Sequence, residues 1–130
     1  MKRTYDYYLS RWLEGVNMRA DVDYADPKSV QRYNKGSDVY RKAATQIGEH
    51  YPGKVAEFSK WMQHEDEHIR LCAAISIAEY MPHTREQLST VLEIVNHRMN
   101  NPDSSDPRMG WEWWLKQPWA QEENCTDFAV

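Results

Sequence analysis

Apolar residues recur along this chain at helical spacing almost from its start. Between about Thr4 and Met18 they fall at Tyr5, Tyr8, Leu9, Trp12, Leu13 and Val16, one stripe of a helix, with Gly15 placed late, where fraying is expected. A polar stretch, Asp21-Val22-Asp23-Tyr24-Ala25, separates this helix from the next. Asp26-Pro27 then supplies an N-cap followed by proline at the first helical position. From there Val30, Tyr33, Ser37, Tyr40, Ala44, Ile47 and Tyr51 alternate three and four apart. Gly36 lies inside this seam at a cost of about 1 kcal/mol, but the stripe keeps its phase, so one continuous helix is expected.

Pro52-Gly53 marks a turn, and Val55, Phe58 and Met62 predict a short helix over Lys54 to Gln63. Asp66 reads as the N-cap of a helix from Glu67 to Tyr80 that is apolar almost all round, the signature of a central, buried element. Met81-Pro82-His83 stops it, and Thr84 with Gln87 forms a capping box for a helix from Arg85 to about Asn100. After a loop of turn residues, Asp106-Pro107 repeats the cap-plus-proline start. A last helix, Arg108 to Gln117, carries Met109, Trp111, Trp113, Trp114 and Leu115. No period-2 alternation is sustained, so no strand is expected. The pattern predicts an all-α fold of about six helices in stacked antiparallel pairs. Residues 1–118 form one domain, and residues 119–130 are an acidic, mobile tail.

At 130 residues the chain suits one domain with one core, and 28% charged residues with a mean hydropathy of −0.88 exclude a membrane span. The basic start lacks an apolar segment, so no signal peptide is expected, and two separated cysteines point to a reducing cytoplasm. Charge is uneven. Residues 1–60 hold 11 basic and 8 acidic side chains, net +3; residues 61–130 hold 5 basic and 12 acidic, net −7. The acidic second half argues against nucleic acid and anionic membrane as partners and suits a basic protein.

His64-Glu65-Asp66-Glu67-His68 formally matches H-E-x-x-H, in which two histidines one turn apart bind zinc and the glutamate is general base. Glu79, His83 or Glu86 would be the third ligand. The motif needs to lie within a helix, yet Asp66 reads as the residue that starts one, and the two central positions are both acidic. The zinc hydrolase is therefore the alternative reading, and no metal, cofactor or catalytic residue is expected. Gly-rich phosphate loops and nucleophile elbows are absent from the sequence. Cys72 sits in the most apolar helix as a core residue, and the acidic surroundings of Cys125 disfavour a thiolate.

Val55 to Tyr80 resembles a HEAT-type repeat, through Phe58, Met62, Asp66, Ile69, Arg70, Ala73, Ala74 and Ala78. In that pattern the aspartate caps the second helix, small residues permit stacking, and the arginine reaches back to the turn. The wider stretch from Asp26 to Tyr80 is similar to a bacterial family of short HEAT-like proteins of unknown function. It includes Asp26-Pro27-Lys28, Tyr33-Asn34, Arg41-Lys42, Ile47, Phe58, His64-Glu65-Asp66, Ile69-Arg70-Leu71 and Ala73-Ala74. Members of such families often sit beside toxin genes, so the resemblance implies a non-enzymatic immunity protein that neutralises a toxin by binding it. A general scaffold without a toxin is the further alternative. The unmatched C-terminal stretch combines tryptophans with acids. Adjacent residues diverge by about 100° on a helix, so Trp113 and Trp114 face different ways. Glu112, Trp113, Trp114, Glu122 and Glu123 are the expected partner contacts, aromatic anchors beside acids that steer a basic toxin domain.

Overall fold

Three helix starts are fixed by the side chains the pattern nominates, Asp26, Asp66 and Thr84. The computed structural model describes residues 3–127. Helix α1 (Tyr5–Met18) begins where Thr4 Oγ1 accepts from the Tyr7 amide. Helix α2 (Pro27–His50) begins at Asp26, and α4 (Glu67–Tyr80) at Asp66, whose carboxylate accepts from the His68 and Ile69 amides. Helix α5 (Arg85–Met99) carries the full Thr84–Gln87 capping box. Between α2 and α4 the expected single helix is instead a four-residue α3 (Val55–Phe58) between two 3₁₀ segments, Pro52–Lys54 and Ser59–Gln63. Val55, Phe58 and Met62 are buried as expected, and Trp61 packs half-buried against the core. Helix α6 (Arg108–Leu115) follows a loop, and the fold is all-α. No helix among the described residues is long and apolar enough to cross a membrane.

Helices α1 and α2 make the most extensive contact in the molecule, and two glycines allow it. A Cβ added at Gly15 would lie 2.5 Å from the Tyr40 backbone nitrogen and 2.7 Å from the Gly36 carbonyl oxygen. One added at Gly36 would lie 2.6 Å from both the Gly15 carbonyl oxygen and Met18 Cβ. Gly15 is therefore buried at a backbone-to-backbone crossing, where the sequence suggested a frayed end. Gly36 does not interrupt α2; it is the surface on which α1 rests. Gly48, further along α2, makes the same kind of approach to the Tyr80 carbonyl at the end of α4.

Helix α4 is central as expected: Cys72, Ala73, Ala74, Ser76, Ile77 and Ala78 are buried, against α2, α5 and the 59–63 segment. Trp12 of α1 crosses the core edge-on to Phe58, with ring centroids 4.9 Å apart, and its indole nitrogen donates to Ser76 Oγ at 3.0 Å. A polar handle is thus satisfied in the driest part of the protein.

The chain after α6 does not hang free. Through Asp127 it folds back over the start of α5 in two 3₁₀ turns, burying Ala120 and Cys125. The Thr126 amide donates to the His83 carbonyl at 2.9 Å. Asp127 accepts from the Arg85 amide, the first of α5, and Glu122 pairs with the Arg85 side chain at 3.4 Å. The acids that made this stretch look like a solvated tail are drawn to a helix N-terminus, where negative charge is favoured. Residues 128–130 of the expected tail lie outside the described residues.

The crossing makes glycine changes of opposite sign. Gly36→Ala gains helix propensity but forces atoms into the Gly15 backbone, and is expected to destabilise by about 1–3 kcal/mol. At Gly110 in α6 an added Cβ meets nothing within 4 Å, so Gly110→Ala is expected to stabilise by about 0.5–1 kcal/mol. Denaturant melts of both variants check this; a neutral or stabilising Gly36→Ala would remove the tight crossing.

Candidate functional site

The α1–α2 loop and helix α6 stand on either side of α4, and between them lies a groove of about 580 Å³, in the size range of ligand sites. Its floor is the flank of α4 that carries half-buried His68, Leu71 and Ile75 and buried Cys72. One wall comes from Arg19, at the end of α1, with Val22 and Tyr24 of the loop and Tyr33 of α2. Asp21 turns this loop with φ of 57°, a left-handed conformation that aspartate tolerates better than most residues. The opposite wall is Trp111, Trp113 and Trp114 of α6, and Arg98 and Asp106 close the end.

Asp106 was expected to cap α6, by analogy with Asp26. It does not: no side chain caps that helix. The carboxylate instead accepts from Arg98 Nε at 2.7 Å and from the Trp111 indole at 3.3 Å, so it ties α6 to the end of α5. Burial alone would push this carboxyl up, but the Arg98 hydrogen bond and charge, with the Trp111 indole, hold it below the ordinary aspartate range. Trp114 makes the second tie, through its indole nitrogen to Glu79 of α4 at 3.1 Å. Burial raises the Glu79 carboxyl, and the indole opposes that rise.

Arg19 is held without any acid. Its Nη2 donates to Tyr33 Oη at 2.5 Å and its Nη1 to Cys72 Sγ at 3.6 Å, and the guanidinium lies 4.6 Å from the Tyr33 ring centre and 5.1 Å from that of Tyr40. No carboxylate of the described residues pairs with it, and its Nε, itself buried, has no acceptor among them. Cys72 is no hidden anion: burial pushes its thiol up to about 11, against the pull of Arg19.

The five expected contact residues are divided by this geometry. Trp113 is 59% exposed on the groove's rim, whereas Trp114 is 7% exposed and serves the core; the divergence between neighbours is as the helix requires. Glu112 is exposed but paired with Arg108 at 2.9 Å. Glu122 pairs with Arg85 at the start of α5, with Glu123 next to it in the chain, while the groove closes on Arg98, thirteen residues and ~20 Å further along that helix. Glu122 and Glu123 therefore belong to a different surface from the exposed tryptophan, and only Glu112 shares its helix. Sequence reading missed Arg19 and Tyr24. Asp21 and Asp23 stand close to Arg19 in the chain, yet neither pairs with it.

The H-E-x-x-H residues do not share a helix. His64 is extended before α4, stacks on Trp61 and accepts from the Asp66 amide through Nδ1. His68, inside α4, turns its Nε2 to the Val16 carbonyl oxygen at 3.0 Å. Arg70 donates to the carbonyls of His64 and Glu65 and so closes the turn, the role its position suggests. His83 is buried with Nδ1 at the Met81 and Ile77 carbonyls. Among the described residues, no three His, Cys, Asp or Glu side chains gather as a metal site would need.

Because the Asp106 carboxyl is held down in the folded state, its contribution is present above the ordinary aspartate value and lost as pH falls towards the lower folded one. Asp106→Asn is expected to cost about 1 kcal/mol at pH 7, as suits a partly exposed pair, with the deficit shrinking below about pH 4. Thermal melts of both proteins from pH 7 to 3 check it; a deficit independent of pH would contradict the tie. Compared with protein-family models, curated proteins and solved structures, the chain shows no match to any.

Proposed function

We propose that this chain is a non-enzymatic protein-binding module, an immunity protein of HEAT-like type that neutralises a bacterial toxin by covering it. The observation that carries the reading is where large apolar side chains meet solvent. Among the described residues Tyr24 is 75% exposed, Met109 80% and Trp113 59%, while Tyr7, at 39%, stands apart from the groove. Tyr24 and Trp113 are on opposite walls of the groove, and Met109 precedes its lining residue Gly110. Large exposed side chains gathered round one concavity are what a partner-binding surface presents, and tryptophan and tyrosine are its usual anchors. The toxin follows from the resemblance of the Asp26–Tyr80 stretch. The net −7 of residues 61–130 acts at longer range, favouring the approach of a basic partner.

The test uses the protein encoded beside this chain's reading frame. Cells expressing it are expected to arrest alone and to grow when this chain is co-expressed. Trp113→Ala is expected to weaken the complex by about 30-fold or more, as a hot spot does, with little change in melting temperature. Exchanging Glu122 and Glu123 for lysine is expected to slow association only. No binding and no protection would overturn the reading.

A further inference from the structure

We propose that the groove receives from the protein partner a short segment bearing a carboxylate, which pairs with Arg19, next to an apolar side chain seated between Tyr24 and Trp113. This rests on the protein-binding reading and adds the chemistry of the bound segment.

Two arginines line the groove, and they are treated differently. Arg98 is matched by Asp106 at 2.7 Å, with Glu67 3.9 Å away. Arg19 is more deeply set and is matched by no acid of the described residues. An arginine does not escape such a position by losing its proton. A buried charge is costly unless paired, and two tyrosine rings with neutral hydrogen-bond partners offset only part of that cost. Each of the two bonds it makes uses one of the two hydrogens its terminal nitrogen carries, so donors are left for an incoming oxygen pair.

The surroundings narrow the ligand. Asp106 contributes the groove's own negative charge, and Arg98 is committed to it, so Arg19 is the cation left to be neutralised. One cation does not hold a polyphosphate backbone, which draws its affinity from many. A small inorganic anion would leave the aromatic rim unused. An acidic residue beside an aromatic or aliphatic one uses both the guanidinium and the rim. The acidic bias of the wider surface acts on approach; the unmatched arginine acts at contact, and there the preferred sign is reversed.

The test is panning of short random peptides displayed on phage against the intact chain and against Arg19→Met, which keeps a stem of similar length. The intact chain is expected to enrich peptides with Asp or Glu beside an apolar residue, and Arg19→Met to lose that preference. A selected synthetic peptide is expected to bind about tenfold weaker or worse once its acid is replaced by the matching amide, and weaker to Trp113→Ala. The peptide substitution is measured on the unaltered protein, so it stands even if Arg19→Met does not fold. Trp113-dependent peptides that lack an acid, or that bind equally as acid and amide, would overturn the carboxylate and leave the protein-binding surface in place. No Trp113-dependent peptide at all would overturn both.

Discussion

The architecture depends on the contact between Gly15 and Gly36. Helix packing distances are normally set by side chains, at 8–10 Å between axes. Here the backbones themselves touch, since neither glycine has room for a Cβ. The approach draws α1 onto α2 and directs Trp12 and Val16 into the core, where Trp12 meets Phe58 and Ser76. Two glycines that would each cost about 1 kcal/mol in an isolated helix are thus used where any other residue would cost more.

The same contact shapes the groove. Arg19 follows Gly15 by four residues, one helical turn, and its Cγ would be 3.2 Å from a Cβ on Gly36. The arginine stem lies over the bare backbone of α2, and its guanidinium reaches the rings of Tyr33 and Tyr40, three residues before and four after that glycine. Both tyrosines belong to the three-and-four-spaced seam of α2. Tyr40 is buried, and Tyr33 is half-buried because it lines the groove. The opposite wall is fixed by different means, the Asp106 and Trp114 ties, so the groove joins two halves of the chain through α4. A cation without an acid is tolerable there because the aromatic faces carry part of the electrostatic load.

The starts at Asp26, Asp66 and Thr84 were legible because capping is local: each acts within three residues of itself. Asp106 defeated the same reasoning. Its pattern matches Asp26, but Arg98 and Trp111 compete for the carboxylate and win with a charged partner. The acidic end of the chain misled for a related reason, since its acids find the first turn of α5, distant in sequence. Periodicity carried no information on which glycine sits at a crossing, because Gly15 and Gly36 acquire their role only from each other. Arg19 was silent for the same reason: its neighbours come from α2 and α4. The exposed tryptophan was half legible, since helix geometry requires Trp113 and Trp114 to diverge but does not say which faces out.

The central claim is that the glycine crossing seats Arg19 against two tyrosine rings as an acid-free cation in the groove. The most direct measurement is the NMR signal of the Arg19 Nε–H in the intact protein. The account predicts a resolved resonance, displaced by the ring currents of Tyr33 and Tyr40, exchanging slowly with water, and unchanged when the Asp21 and Asp23 carboxyls are titrated. An Nε–H that exchanges as fast as an exposed arginine, at an undisplaced frequency, or that shifts with those carboxyls, would contradict it.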